Sequence, residues 1–278
     1  MRYAIVPPAA LERPSNEPRS LTNALGCTHT TVDVFAPPGA ATTSVSDGGR
    51  EAVCVPVGAP GEIAADEPVT VSANGVAFVP AGTAATLRGP CRWLIVRASA
   101  ASSSGDRHVV DTNDDASVAD GRDERHAVDC TDDAPVGDGS DHLSLVDSTD
   151  VAFAPPSTSD VDIARLTARL GCTGMKVNLR RLDPGQAVPY HTEGTQEELF
   201  VPLDGPGTIL IDGERHHVPT GSVTRVSPET PRSVLNSGND RRTWLMIGAP
   251  PTGPSDGWDP GAEILEWPER DPRLTDPR

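Results

Sequence analysis

Several kinds of residue are scarce in this chain, and each shortage narrows what it can be. Lys176 is the one lysine among 23 basic residues, which face 40 acidic ones for a formal net charge of -17. A chain this negative lacks the basic surface that nucleic acid or an anionic membrane requires, so neither is expected as a partner. Aromatic residues make up 4% and hydrophobic residues 36% of the 278 positions. No apolar run approaches the length of a membrane-spanning helix, and Met1 to Pro8 contain no apolar stretch that reads as a secretion signal. A soluble, cytoplasmic protein is the expectation. Five cysteines (Cys27, Cys54, Cys91, Cys130, Cys172) are scattered without a C-x-x-C pair, which argues for reduced thiols over a disulfide framework or a zinc ribbon.

What is plentiful is proline, glycine and aspartate: 28 Pro, 26 Gly, and 26 Asp against 14 Glu. The acidic, lysine-poor balance matches proteins that stay soluble in concentrated salt, as in salt-in halophiles, although a GC-rich genome also depletes lysine. The charge is uneven. Residues 106–150 hold 14 acids and three arginines, so -11 of the -17 falls there, and the rest of the chain carries only -6.

The chain repeats itself around that acidic middle. Leu21-Thr22-Asn23-Ala24-Leu25-Gly26-Cys27-Thr28 returns as Leu166-Thr167-Ala168-Arg169-Leu170-Gly171-Cys172-Thr173, 145 positions later. Pro38-Gly39 matches Pro184-Gly185, Pro60-Gly61 matches Pro206-Gly207, and Trp93 to Val96 matches Trp244 to Ile247, with the offset drifting only from 145 to 151. Ordered matches at a nearly constant offset indicate a duplicated domain. Each half reads as short apolar runs separated by Gly, Pro or Asp. In the second half the runs are Met175 to Leu182, Glu198 to Leu203, Thr208 to Ile211, Ser222 to Val226 and Thr243 to Ile247, and Asp212-Gly213 marks a hairpin turn. The pattern predicts an all-β fold: two small β-barrels over 1–100 and 142–250, an acidic disordered linker over 101–141, and a Pro-rich tail over 251–278. In that tail Trp258, Ile264, Leu265 and Trp267 offer groups to pack across a barrel. Ser140, Asp141 and His142 are neighbours in sequence, which is no geometry for a catalytic triad.

The second half carries Gly185-x5-His191-x-Glu193-x4-Glu198-x6-Gly205. This resembles the first motif of the cupin superfamily, G-x5-H-x-H-x3,4-E-x6-G, with Glu193 where the second histidine is usual. Gly221 to Asn236 resembles the second motif, G-x5-P-x-G-x2-H-x3-N, with Pro228 and Asn236 in place, Thr230 for a glycine, Arg232 for the histidine, and one residue inserted before Pro228. The resemblance implies a jelly-roll barrel in each half, a bicupin. It also implies a mononuclear metal held by His191, Glu193 and Glu198, and a small-molecule reaction such as dioxygenation, isomerisation or decarboxylation.

Strand alternation sends His191 and Glu193 to one face and Tyr190 and Thr192 to the other. Of Glu197 and Glu198 only one can point inward, and the family spacing selects Glu198, with Gln196 sharing its face if the strand begins there. One imidazole and two carboxylates suit Fe, Mn, Ni or Zn. Arginine cannot ligate a metal, so Arg232 has two readings open. Either it clamps an anionic substrate, with Glu198 as a base, or it neutralises a glutamate in the metal's stead. His216 and His217 are candidates for a fourth ligand, and Asn236, Thr224 and Tyr190 for shaping the pocket. In the first half Val45, Asp47, Ala52 and Ala84 take the places of His191, Glu193, Glu198 and Arg232, so that barrel is expected to be structural; His29 is read there as a strand or turn position. The function classes in play are a metal enzyme acting on a small anion, a non-catalytic binding module, and a structural domain pairing as a homodimer through sheet edges. No helix-turn-helix pattern accompanies the barrels.

Overall fold

The computed structural model describes residues 1–10, 14–45, 48–100, 143–147, 149–156, 159–254 and 259–268. The expected linker over 101–141 lies outside them, as do Asp47, His142 and Trp258. The described chain is almost wholly antiparallel sheet, and the runs expected as strands are strands, including Lys176–Leu182, Glu197–Pro202, Gly207–Ile211, Val223–Val226 and Arg242–Ala249. Asp212 (φ 51) and Gly213 (φ 82) form the two-residue turn between Gly207–Ile211 and Glu214–Val218, the left-handed pair that matches strand twist.

The duplication is visible strand for strand. One six-stranded sheet runs Tyr3–Val6, Val223–Val226, Glu197–Pro202, Arg242–Ala249, Lys176–Leu182, Asp162–Arg165. The other runs Ser144–Val146, Val76–Val79, Arg50–Val57, Arg92–Ser99, Thr30–Phe35, Arg19–Ser20. Each is matched by a smaller sheet, of five strands in the second half and four in the first. The fifth strand is Glu263–Ile264 from the tail, paired on His191–Thr192. Leu265 and Trp267 follow it and pack with Tyr190, Leu210 and Leu235, so the tail covers the second barrel as its apolar residues suggested.

The halves also exchange strands. Tyr3–Val6 pairs with Val223–Val226 of the second barrel, and Ser144–Val146 pairs with Val76–Val79 of the first. In space, then, each barrel contains one strand from the chain span of the other. The largest core lies between the two large sheets and takes in Val53, Val55, Leu94 and Val96 from one half with Val177, Leu179, Leu245 and Ile247 from the other. Residues one step along face into each barrel's own core: Cys54 and Ile95 in the first, Phe200 and Met246 in the second. These central strands are buried on both faces, which is why they read as continuous apolar runs.

The repeated octet has a structural purpose. In each copy a four-residue helical turn, Thr22–Leu25 or Thr167–Leu170, ends on a glycine at positive φ (Gly26 at 68°, Gly171 at 81°), a conformation costly for any residue with a Cβ. The chain leaving that glycine presents its amides to a glutamate of the opposite half. Glu197 accepts from Thr28, His29 and Thr30 backbone N–H groups, each at 2.9 Å, and from the hydroxyls of Thr28 and Thr30. Glu51 accepts from the Thr173 and Gly174 N–H groups and the Thr173 hydroxyl. Two reciprocal carboxylate clasps therefore fasten the barrels together.

Candidate functional site

The inner face of the second barrel is where the candidate residues meet. His191 lies on a two-residue strand between Arg232–Leu235 and the tail strand, directly opposite Arg232. Its Nδ1 is 2.7 Å from the Pro189 carbonyl oxygen. A carbonyl only accepts, so Nδ1 carries the proton and the lone pair of the neutral ring sits on Nε2. Nε2 faces Glu193 Oε1 at 3.5 Å and Glu198 Oε2 at 3.7 Å. These three side chains place ligand atoms within 4.8 Å of one another, the one such group among the described residues.

Glu193 N–H donates to the Pro228 carbonyl (2.9 Å), and the same carbonyl accepts from Arg232 Nη1 (2.7 Å). The second-motif proline thus holds both residues that replace the family's histidines, Glu193 and Arg232. Arg232 is fully buried. Its Nε donates to Glu198 Oε2 at 2.9 Å, Nη2 lies 2.8 Å from the same oxygen, and Nη1 also reaches the Thr230 carbonyl. Arg232 is therefore ion-paired with Glu198, while its Nη2 has no hydrogen-bond partner of its own. Burial alone would raise the Glu198 pKa, but the Arg232 charge holds it far down, at about 2. Glu193 goes the other way, up to about 8, through burial first and then repulsion from Glu198. Its Oε2 is buried without a hydrogen-bond partner.

Of the adjacent glutamates, Glu198 does point inward, and Glu197 points out into the interface between the halves. There Arg225 joins the clasp at 2.9 Å, with both side chains buried. Gln196 is buried with Oε1 unpartnered. Its amide lies where Gly248 has no side chain; a Cβ on Gly248 would fall 2.3 Å from the amide carbon. The loop 194–196 carrying it is fastened from the tail, because Asp259 accepts from the N–H groups of Gly194, Thr195 and Gln196.

The remaining candidates lie elsewhere. His216 packs against Tyr3 in a tilted arrangement, ring centroids 5.1 Å apart, and His217 is exposed, so neither joins the carboxylate group. Tyr190 packs on Trp267 outside the barrel interior, the face alternation assigned it. Asn236 donates to the Leu182 and Asp240 carbonyls and accepts from Gly238 N–H, a turn-holding role. Thr224, paired with inward-facing Phe200, does line the interior. In the first barrel Val45 and Ala52 are buried apolar residues at the positions of His191 and Glu198, and no acid–imidazole group forms there among the described residues.

Sequence reasoning passed over three further inward groups: Lys176, Asn178 and Arg180. They alternate along Lys176–Leu182 with Leu182, which belongs to the second barrel's own core, while Val177 and Leu179 face the other barrel. Lys176 is 4% and Arg180 9% exposed. Burial, then the Arg165 charge, push Arg180 down to about 10 against the pull of Glu198. The period-two spacing was the available signal.

Comparison with known proteins agrees with this architecture. The cupin domain family matches residues 178–248, the stretch that holds His191, Glu193, Glu198 and Arg232. An uncharacterised protein of Methanocaldococcus jannaschii is 32% identical over 82 residues, which make up 30% of this chain and 62% of that protein, so the match spans less than two thirds of the relative. Among solved structures, a putative glyoxylate-induced protein from Pseudomonas aeruginosa aligns with a TM-score of 0.60 at 14% identity, over 88% of this chain and 87% of that one. Oxalate decarboxylase from Lactobacillus farciminis aligns at 0.54 and 12%, covering 89% and 82%. Salicylate 1,2-dioxygenase from Pseudoaminobacter salicylatoxidans aligns at 0.58 and 11%, covering 84% and 75%. At these identities the likeness is one of fold. Residues 178–248 match the cupin domain family, and with its two-sheet halves the chain has the all-β cupin fold.

Proposed function

We propose that the second barrel holds one divalent metal ion on His191, Glu193 and Glu198 and acts on a small organic anion beside it. The observation that carries this reading is the convergence of three acceptor atoms, His191 Nε2, Glu193 Oε1 and Glu198 Oε2, with His191 fixed in the required tautomer by Pro189. Lone pairs that meet in a buried space repel one another unless a proton or a cation lies between them. One nitrogen and two oxygens fit Fe, Mn, Ni or Zn. Such an ion would supply Lewis-acid polarisation of a bound oxygen. Arg232 balances one of the two carboxylate charges and fixes the orientation of Glu198. Glu193, with its unpartnered Oε2, is the group placed to take or return a proton when that oxygen is not coordinated. Oxygenation, isomerisation and decarboxylation of a small carboxylic acid are the reactions the family resemblance favours.

A second reading has its own support. The Arg232–Glu198 ion pair, together with a protonated Glu193, closes the charge balance without a metal. In that case the barrel is a non-catalytic module for small ligands. Elemental analysis of protein purified without chelator separates the two. Near-stoichiometric Fe, Mn, Ni or Zn that disappears in His191→Ala supports the metal reading. Metal-free wild-type protein whose stability is unchanged in His191→Ala leaves the binding module.

A further inference from the structure

Arg232 is ion-paired with Glu198 and donates to two carbonyl oxygens, so an anion in this barrel calls for a further cation. We propose that the inner wall made by Lys176, Asn178 and Arg180, with Arg165 at its edge, is the binding site for the carboxylate of a small organic acid. The wall is continuous. Lys176, Asn178 and Arg180 share one face of their strand, and Arg165 on the edge strand is the direct cross-strand partner of Asn178, which places it on the same face.

The duplicated half supplies the control. By register, Thr31, Asp33 and Phe35 take the positions of Lys176, Asn178 and Arg180, with Ser20 in place of Arg165. That wall carries one acid, Asp33, and its counter-charge comes from Arg97 on the neighbouring strand. The position of Arg97 in the second barrel is Gly248. On the same backbone frame, then, three cations replace one acid, and the neighbouring side chain is removed.

The buried cation Arg180 requires compensating charge, and the acid that acts on it, Glu198, is already engaged. Glu198 is paired with Arg232, and Asp259 accepts backbone N–H groups from Gly194, Thr195, Gln196 and Gly261. Glu193 is within electrostatic range of Lys176. The hydrogen bond that Arg180 makes is a long one, 3.4 Å to the Val161 carbonyl. A planar guanidinium and an ammonium on one wall are the groups that recognise a carboxylate. An independent sign of a polar occupant is that Asn178 Oδ1, Gln196 Oε1 and Thr224 Oγ1 are all buried in this interior without partners, where water or a ligand is the usual answer.

The proposal deepens the function proposed above, since its anion would occupy the same interior, and the test keeps the two apart. Malonate binding to the intact chain is measured by calorimetry at constant ionic strength, with chloride as the control anion. Saturable malonate binding is expected. Arg180→Phe and Lys176→Thr, which install the first barrel's own residues, should each weaken it at least about tenfold; the exposed Arg165→Ser should weaken it only about threefold. Arg180→Gln serves as a second variant if Arg180→Phe does not fold. Unchanged malonate binding in folded Arg180 variants, or malonate binding no tighter than chloride, overturns the proposal. The titration is repeated on His191→Ala. Malonate binding that survives there upholds the wall whatever the metal content, whereas metal loss in that variant bears on the metal reading alone.

Discussion

The two barrels are built on one frame and differ in what their interiors can do. In the first, Ala52, Cys54 and Val79 meet Ile63, Leu87 and Trp93 in an apolar core, and an inward ion pair, Arg97 with Asp33, is closed on itself. In the second, His191, Glu198, Lys176 and Arg180 stand where the first has Val45, Ala52, Thr31 and Phe35, and the interior contains buried polar atoms without partners. Duplication lets one copy hold the fold while the other accepts the destabilising cost of buried charge. The strand exchange and the large shared core allow this, because each barrel is stabilised partly by its neighbour. The clasps differ in the same sense. Both glutamates accept backbone amides from the other half, but Glu197 also has Arg225, while register places Phe78 where Arg225 would be for Glu51.

That asymmetry can be broken in order of size. Glu197→Gln leaves Arg225 buried beside a neutral amide and should cost about 3–5 kcal/mol in urea unfolding. Glu51→Gln disturbs hydrogen bonds but strands no cation, so about 1–3 kcal/mol is expected. A smaller effect distinguishes the clasps by pH. Amide hydrogen bonds and Arg225 outweigh burial at Glu197, so its folded pKa is lowered; the stability it adds is present above the unfolded value, about 4.3, and is lost as pH falls through the folded pKa. Burial outweighs the hydrogen bonds at Glu51 and raises its pKa, so its contribution is present below about 4.3 and is lost as pH rises through the folded value. The stability difference from wild type should therefore shrink on acidification for Glu197→Gln and grow for Glu51→Gln; parallel pH curves would remove the distinction. The smallest expected effect is a null result. Val45→His combined with Ala52→Glu in the first barrel should add no bound metal in elemental analysis, because Arg97 already reaches the Val45 carbonyl and occupies that interior.

Much of this was legible along the chain. The octet and the Asp212-Gly213 turn follow from repetition and turn chemistry, which are local; alternation allows only one of Glu197 and Glu198 to face inward, and the resemblance to the cupin motif selected Glu198. The reason for the octet was not legible, because its amides meet Glu197 and Glu51 at separations of 167 to 169 and 122 to 123 residues. Tyr3–Val6 lies within the span expected for the first barrel, but its partner is at Val223–Val226. Asp259 sits in a tail that reads as Pro-rich, and nothing nearby indicates that it fastens the loop of Gln196. Lys176, Asn178 and Arg180 were within reach of alternation, but the apolar residues between them made the run look like plain core.

The sequence alone determined the β architecture, its duplication and which half could carry chemistry, because strand period, turn residues and motif spacing act within a few residues of one another. Tertiary structure decided that Arg232 neutralises Glu198, that the barrels exchange strands and clasp each other, and that the chain's single lysine faces a buried interior. Each of these depends on which groups burial brings together from distant parts of the chain, and on the charge that burial leaves to be balanced.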